Sequence, residues 1–142
     1  MQIISFNFDK IMAERKSREA KQGLKIESSM NIREIEEEKI PGIKDQQVMR
    51  LVFDFSTTYD KDYARIDFTG TILIAVEKGS FKTFLKMWKE KNVDEQTRIP
   101  VVNLILTRCN LRSLQLEDEL GLPLHIPLPK VMNDKEMKSY TG

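Results

Sequence analysis

Residues 48–76, VMRLVFDFSTTYDKDYARIDFTGTILIAV, constrain this chain more than any other stretch. They read as one long antiparallel hairpin. In the first arm Met49, Leu51, Phe53 and Phe55 share a face, with Arg50, Asp54 and Ser56 opposite. In the second arm Ile66, Phe68, Ile72, Ile74 and Val76 share a face, opposite Arg65, Asp67, Thr69 and Thr71. Strand side chains alternate with period two, so this pattern demands a sheet with one buried face. The join over residues 57–62 is polar and Asp-rich, as a turn requires. What covers the apolar face is the functional question: the chain's own helices, a second copy, or another protein.

The other strands and helices follow from the same reasoning. Ile4, Phe6 and Phe8 alternate with Ser5 and Asn7, which predicts a strand over residues 2–12. Residues 13–22 are almost all charged and read as a surface connection. Leu24, Ile26, Met30 and Ile32 alternate with polar residues in a second strand. It runs into Glu34, Glu36, Glu37 and Glu38, a solvated strand end. Gly70 interrupts the second hairpin arm, and the reading is a bend that lets the sheet curl.

After Val76 the period changes. Gly79 and Ser80 offer a turn and an N-cap. Phe81, Phe84, Leu85 and Trp88 then form the stripe of a short amphipathic helix, with Lys82, Lys86, Lys89 and Lys91 opposite. Residues 92–97 read as a polar linker. A long helix follows from Thr97 or Ile99, with Pro100 in its first turn and Gly121 as its stop. Val102, Ile105, Leu106, Cys109, Leu116 and Leu120 form its main stripe. Leu104, Leu111 and Leu114 widen the arc, which suggests cover from two directions. Three prolines in LPLHIPLP, residues 122–129, enforce an extended segment that packs back along helix or sheet. Residues 132–142 are polar and patternless.

The expected fold class is therefore α+β: a four-stranded antiparallel meander, then two C-terminal helices on one face and an extended Pro-rich segment. Residues 1–131 form one domain and residues 132–142 a flexible polar tail, in a chain of 142 residues. Net charge is +1 with mixed signs, which gives no basic stripe for nucleic acid. No apolar run approaches the ~20 residues of a membrane span, and Asp9 near the start argues against a signal peptide. A cytoplasmic location is expected.

Chemistry-bearing motifs are missing. The glycines are scattered, so no phosphate loop is formed. One His and one Cys cannot make a metal site. Cys109 sits in a helical apolar pattern and reads as a buried small residue. His125 lies between prolines and reads as a packing or surface histidine. The expectation is a non-enzyme without cofactor or metal.

Taken in order, the chain resembles the SecB family of export chaperones. Residues 46–130 carry most of the likeness: the hairpin QQVMRLVFDFSTTYDKDYARIDFTGTILIAV, and the helix IPVVNLILTRCNLRSLQLEDELG running into LPLHIPLPKV. QIISFNFDKIMAERK and LKIESSMNIREIEEE stand where that family has its first strand and the start of its second. The resemblance implies a homo-oligomer, dimers pairing into a tetramer with long helices between sheets. It implies ATP-independent binding of unfolded polypeptides in apolar grooves, as in preprotein export. Groove candidates chosen by type and place are Phe6, Phe8, Phe53, Phe55, Trp88, Leu124 and Ile126. Interface candidates are Val102, Ile105, Leu106, Cys109, Leu116 and Leu120. The chain departs from the family in its near-neutral charge and in a tail without an amphipathic stripe. The alternative is a structural or adaptor subunit of the same fold, docked in translocation or ribosomal machinery.

Overall fold

The computed structural model describes residues 1–42 and 45–141. Four strands come first: β1 (Gln2–Arg15), β2 (Ile26–Glu38), β3 (Gln46–Tyr59) and β4 (Ala64–Glu77). Three helices follow: α1 (Phe81–Lys89), α2 (Glu95–Leu120) and α3 (Asp134–Thr141). The strands form one antiparallel sheet, so the architecture is α+β as the periodicities require.

The strand order is β1-β4-β3-β2. β2, β3 and β4 form the expected meander, but β1 lies beside β4 rather than beside β2. The charged residues 16–25 make this possible by arching over the tip of the β3–β4 hairpin. At one end Lys16 and Ser17 donate backbone N–H groups to the Tyr63 carbonyl, at 2.9 and 3.2 Å. At the other, the Asp60 carboxylate accepts from the Lys25 N–H at 2.9 Å and from Lys21 Nζ at 2.6 Å. The connection is thus a surface one, but shifted: residues 13–15, read as part of it, continue β1 against β4, and Leu24, read as strand, falls within it. It is also longer than the about 2–5 residues that a hairpin between β1 and β2 would need. Its consequence is that β1 and β2 are the two edges of the sheet.

The hairpin meets its own helices. Met49, Leu51, Phe53 and Phe55 of β3 and Ile66, Phe68, Ile72 and Ile74 of β4 are buried. They share a core with Phe84 of α1 and with Val101, Ile105, Cys109 and Leu116 of α2. A single chain therefore covers this face without a second copy. The opposite face is polar and laced across the strands, with Ser56 donating to Asp67 at 2.5 Å and Thr69 to Asp54 at 2.9 Å.

Two register shifts in β1 reset its alternation. Ile3 lies opposite Ile74 and Phe6 opposite Ile72, so Ile4 falls out of the core-facing set and is exposed. The second shift lies between Phe8 and Lys10. Gly70 has a different role from the bend expected of it. It is paired with Phe53, and a methyl group there would run into the Phe53 ring and come within 2.8 Å of the Asn7 carbonyl. The glycine makes room for an aromatic ring.

Helix ends follow local chemistry. Ser80 occupies the α1 N-cap without a side-chain bond; Gln47 of β3 instead accepts from the Gly79 and Phe81 N–H groups at 3.1 and 3.3 Å. α2 begins earlier than expected because Asp94, within the expected linker, accepts from the Thr97 N–H at 3.0 Å. Pro100 lies inside the helix. Gly121, with φ 64°, ends it, as expected. The expected tail carries α3, and its last residue, Gly142, lies outside the described residues.

Candidate functional site

Two features depart from a closed core: an apolar groove and a buried polar clasp. The groove, about 420 Å³, runs between the β2 edge and the helices. Its strand wall is Met30, Ile32 and Ile35. Its helix wall is Trp88 at the end of α1, Val93 in the α1–α2 connection and Val102 of α2. Arg33, Glu34, Lys89, Lys91 and Arg98 line it as well.

Local sequence explains each wall. Met30 and Ile32 face the core side opposite Phe55 and Phe53. A register shift between Ile32 and Glu34 then resets the alternation, so Ile35 rejoins the same face opposite Leu51. Without that bulge, Ile35 would point to the polar side. α1 ends at Lys89 with Glu90 as its C-cap, after which Lys91 takes a left-handed φ of 55° and Asn92 donates its N–H to the Met87 carbonyl at 2.9 Å. This tight exit places Lys91 and Val93 beside Trp88. The Trp88 ring lies 6.1 Å from that of Phe84, half-buried, and its indole N–H has no hydrogen-bond partner among the described residues. Being an edge strand, β2 also has a strand neighbour on one side only. The groove therefore combines apolar walls with an unpaired strand edge, the two requirements for holding an extended polypeptide.

The clasp lies elsewhere. Glu117 of α2 is fully buried and accepts hydrogen bonds from the Tyr59 hydroxyl and, at 3.0 Å, from the His125 N–H. Its other oxygen meets His125 Nδ1 at 2.6 Å, while His125 Nε2 meets Asn110 Oδ1 at 2.9 Å. Burial pushes the Glu117 carboxyl above the usual carboxylate range, against the opposing pull of His125. Both Glu117 oxygens and both His125 ring nitrogens are engaged, so the constellation works as a tether. It fastens the Pro-rich segment back along α2, as its prolines and apolar residues require, and makes His125 a packing histidine.

The residues singled out from sequence separate into four environments. Trp88 lines the groove. Phe6 and Phe8 are half-buried at the β1 edge, with Phe6 packed 5.3 Å from Phe53 and Phe8 5.1 Å from Phe68 between ring centres. Phe53 and Phe55 are 0% and 2% exposed, so they are core and offer no surface to a client. Leu124 and Ile126 are each 37% exposed on the returning segment, away from the groove.

The α2 stripe needs a similar correction. Ile105, Cys109 and Leu116 face the chain's own sheet and are buried there. Leu120 packs partly against the same core, Val102 lines the groove, and Leu106 points outward with Ile99 and Leu111. Cys109 is buried as expected, and burial pushes its thiol up to about 12. Sequence reasoning missed Met30, Ile32, Ile35 and Val93 as groove residues. The alternation of β2 displayed Met30 and Ile32 as an apolar face, but nothing local revealed that β2 is an edge.

Among the described residues there is no group of three or more His, Cys, Asp or Glu able to hold a metal ion. No helix among them is long and apolar enough to cross a membrane.

No family model matches the chain, and no curated protein matches it. Among solved structures it is similar to a SecB-like chaperone of Mycobacterium tuberculosis, solved in complex with a ChAD peptide from an antitoxin. Identity is 15%, the overlap covers 93% of this chain and 91% of that one, and the TM-score is 0.49. Identity this low does not place the chain in a family, and the likeness concerns the fold alone.

Proposed function

We propose that the chain is an ATP-independent holding protein for extended, unfolded polypeptide segments, which bind in the groove between β2, α1 and α2. The carrying observation is the adjacency of an unpaired strand edge to an apolar trough lined by Met30, Ile32, Ile35 and Trp88. A client strand added to β2 gains backbone hydrogen bonds along the edge. Every second side chain enters the trough, each contributing about 1.5–3 kcal/mol when fully buried. No covalent chemistry and no cofactor are needed. Such a protein works where newly made chains emerge, in the cytoplasm, before export or folding.

The test is suppression of aggregation. Several-fold excess of the purified chain is expected to keep a chemically denatured model protein in solution without nucleotide. A Trp88→Ala variant that remains folded is expected to lose most of this capacity. No suppression by the parent chain at that excess would defeat the reading.

The alternative, a structural or adaptor subunit, draws on another surface. Leu128, Val131 and Met132 are exposed along the returning segment, next to the partly exposed Leu124 and Ile126. A permanent dock on that strip predicts one stoichiometric partner in a pull-down, lost when Leu128 and Met132 are changed to Ser. Assembly into dimers and tetramers would use the outward Ile99, Leu106 and Leu111 of α2. Light scattering tests this, and a stable monomer at micromolar concentration would rule it out.

A further inference from the structure

The holding function above rests on the groove's shape and apolar walls; the charge around those walls is a separate observation. Four cationic side chains line the groove (Arg33, Lys89, Lys91 and Arg98) against one carboxylate, Glu34. The whole chain carries only +1, so positive charge is concentrated at this site. Arg33 is already engaged, 3.8 Å from Glu34 and 3.5 Å from Asp54. Lys89, Lys91 and Arg98 have no carboxylate within ion-pair distance among the described residues. Lys86, one turn earlier on α1 and outside the groove, does have one in Glu90, at 4.0 Å.

We infer that the groove selects extended segments in which large apolar side chains are accompanied, on the same strand face, by carboxylates, and that basic segments are rejected. This deepens the holding function and depends on it. Side chains two apart on an added strand share a face. A segment whose apolar residues enter between Ile32 and Trp88 therefore directs the next same-face side chains along the groove, towards its cationic flanks. Apolar burial supplies affinity but discriminates poorly between sequences. Unpaired cations beside the trough discriminate by sign, because an acidic flank pairs with them and a basic flank is repelled. The mostly aliphatic walls fit a polypeptide better than a nucleic acid strand, which needs successive stacking platforms where the groove offers Trp88 alone.

The test uses the full chain and labelled unstructured peptides, followed by fluorescence anisotropy at low and high salt. The peptides share the same large apolar residues and differ only in flanking Glu, Gln or Lys. The Glu peptide is expected to bind about three- to tenfold tighter than the Gln peptide at low salt, the Lys peptide weakest, with the spread narrowing as salt rises. Reversing the charges with Lys89→Glu, Lys91→Glu and Arg98→Glu together, in a variant shown to be folded by circular dichroism, is expected to invert the order. Equal binding of all three peptides, or an order unchanged in that variant, overturns the charge selection and leaves the holding function standing. Binding of none of them, with the parent folded, overturns both. A labelled oligothymidine that binds more tightly than the Glu peptide, and loses binding in the reversed variant, also overturns the inference.

Discussion

The two outer strands of the sheet carry similar sequences to different ends. β1 and β2 each alternate apolar and polar residues, each contain a register shift, and each border a central strand of the same hairpin. At β1 the core-facing aromatic pair is capped, although Ile4 and Ile11 on that strand stay exposed. Phe6 packs edge-on against Phe8, with ring centres 5.1 Å apart, and Arg108 of α2 lies 5.0 Å over the Phe6 ring. Arg15 finishes that edge by donating to the carbonyls of Leu120 and Gly121, both at 3.1 Å. At β2 the corresponding residues, Met30, Ile32 and Ile35, look into a groove. The difference lies in the covering helices. α1 has 9 residues and α2 has 26, which at ~1.5 Å per residue is ~14 Å against ~39 Å. A strand of 13 residues spans ~43 Å, so α1 covers about a third of it. The apolar face of an edge strand stays open where its covering helix is too short.

Four substitution experiments test the difference between the two edges. Phe53→Ala has the largest expected effect, because its ring is fully buried, packs against Phe6 of β1, and lies opposite Ile32 of β2. A loss of about 3–5 kcal/mol is expected in urea denaturation; a loss below 1 kcal/mol would show that Phe53 is not core. Gly70→Ala presses a methyl group against that ring and the Asn7 carbonyl, and should cost about 1–3 kcal/mol by the same measurement.

The third comparison sets the two edges against each other. Phe6→Ala is expected to lower stability by about 1–3 kcal/mol while leaving client affinity of the folded protein unchanged. Trp88→Ala is expected to weaken client binding about tenfold, which corresponds to ~1.4 kcal/mol. Titration of a fluorescent unfolded client measures both, and loss of affinity in Phe6→Ala would move the binding surface to the β1 edge.

The smallest effect concerns the clasp. The Glu117 carboxyl is raised above its ordinary value of 4.5 by burial. A carboxyl with a raised folded pKa holds its proton more tightly in the folded state. Its contribution is fully present below pH 4.5 and is lost as pH rises through the folded pKa. Glu117→Gln keeps an acceptor for Tyr59 and removes this titration. Stability profiles of parent and variant should therefore converge in slope except across that window, by less than about 1.4 kcal/mol per pH unit. Parallel profiles throughout would show that Glu117 does not titrate between the folded and unfolded states.

Much of this was legible along the chain. Alternation over residues 48–76 specified the hairpin and its buried face, and the stripe from Phe81 to Trp88 specified α1. Gly121 marked the end of α2, and the prolines of residues 122–129 required the extended return. The site was less legible. Phe53 and Phe55 look the same in sequence whether they line a groove or fill a core, because a strand's apolar face has no mark for what lies above it. Asp94 could have been recognised as an N-cap by its place three residues before Thr97, which would have lengthened α2. The pairing of Glu117 with His125 depends on the chain turning back at Gly121.

Periodicity is a local property, so the sequence alone determined which residues form strands and helices and which side of each is apolar. Strand order is not local. Residues 16–25 are long enough to reach either side of the hairpin, and the ladder with β4, together with the bonds to Tyr63 and Asp60 across the tip, places β1 beside β4. That placement makes β2 an edge, leaves its outer backbone without a strand partner, and opens the groove under a short helix. The tertiary structure alone decided this, because a strand's side chains are the same in the middle of a sheet and at its border, while its hydrogen-bonding partners are not.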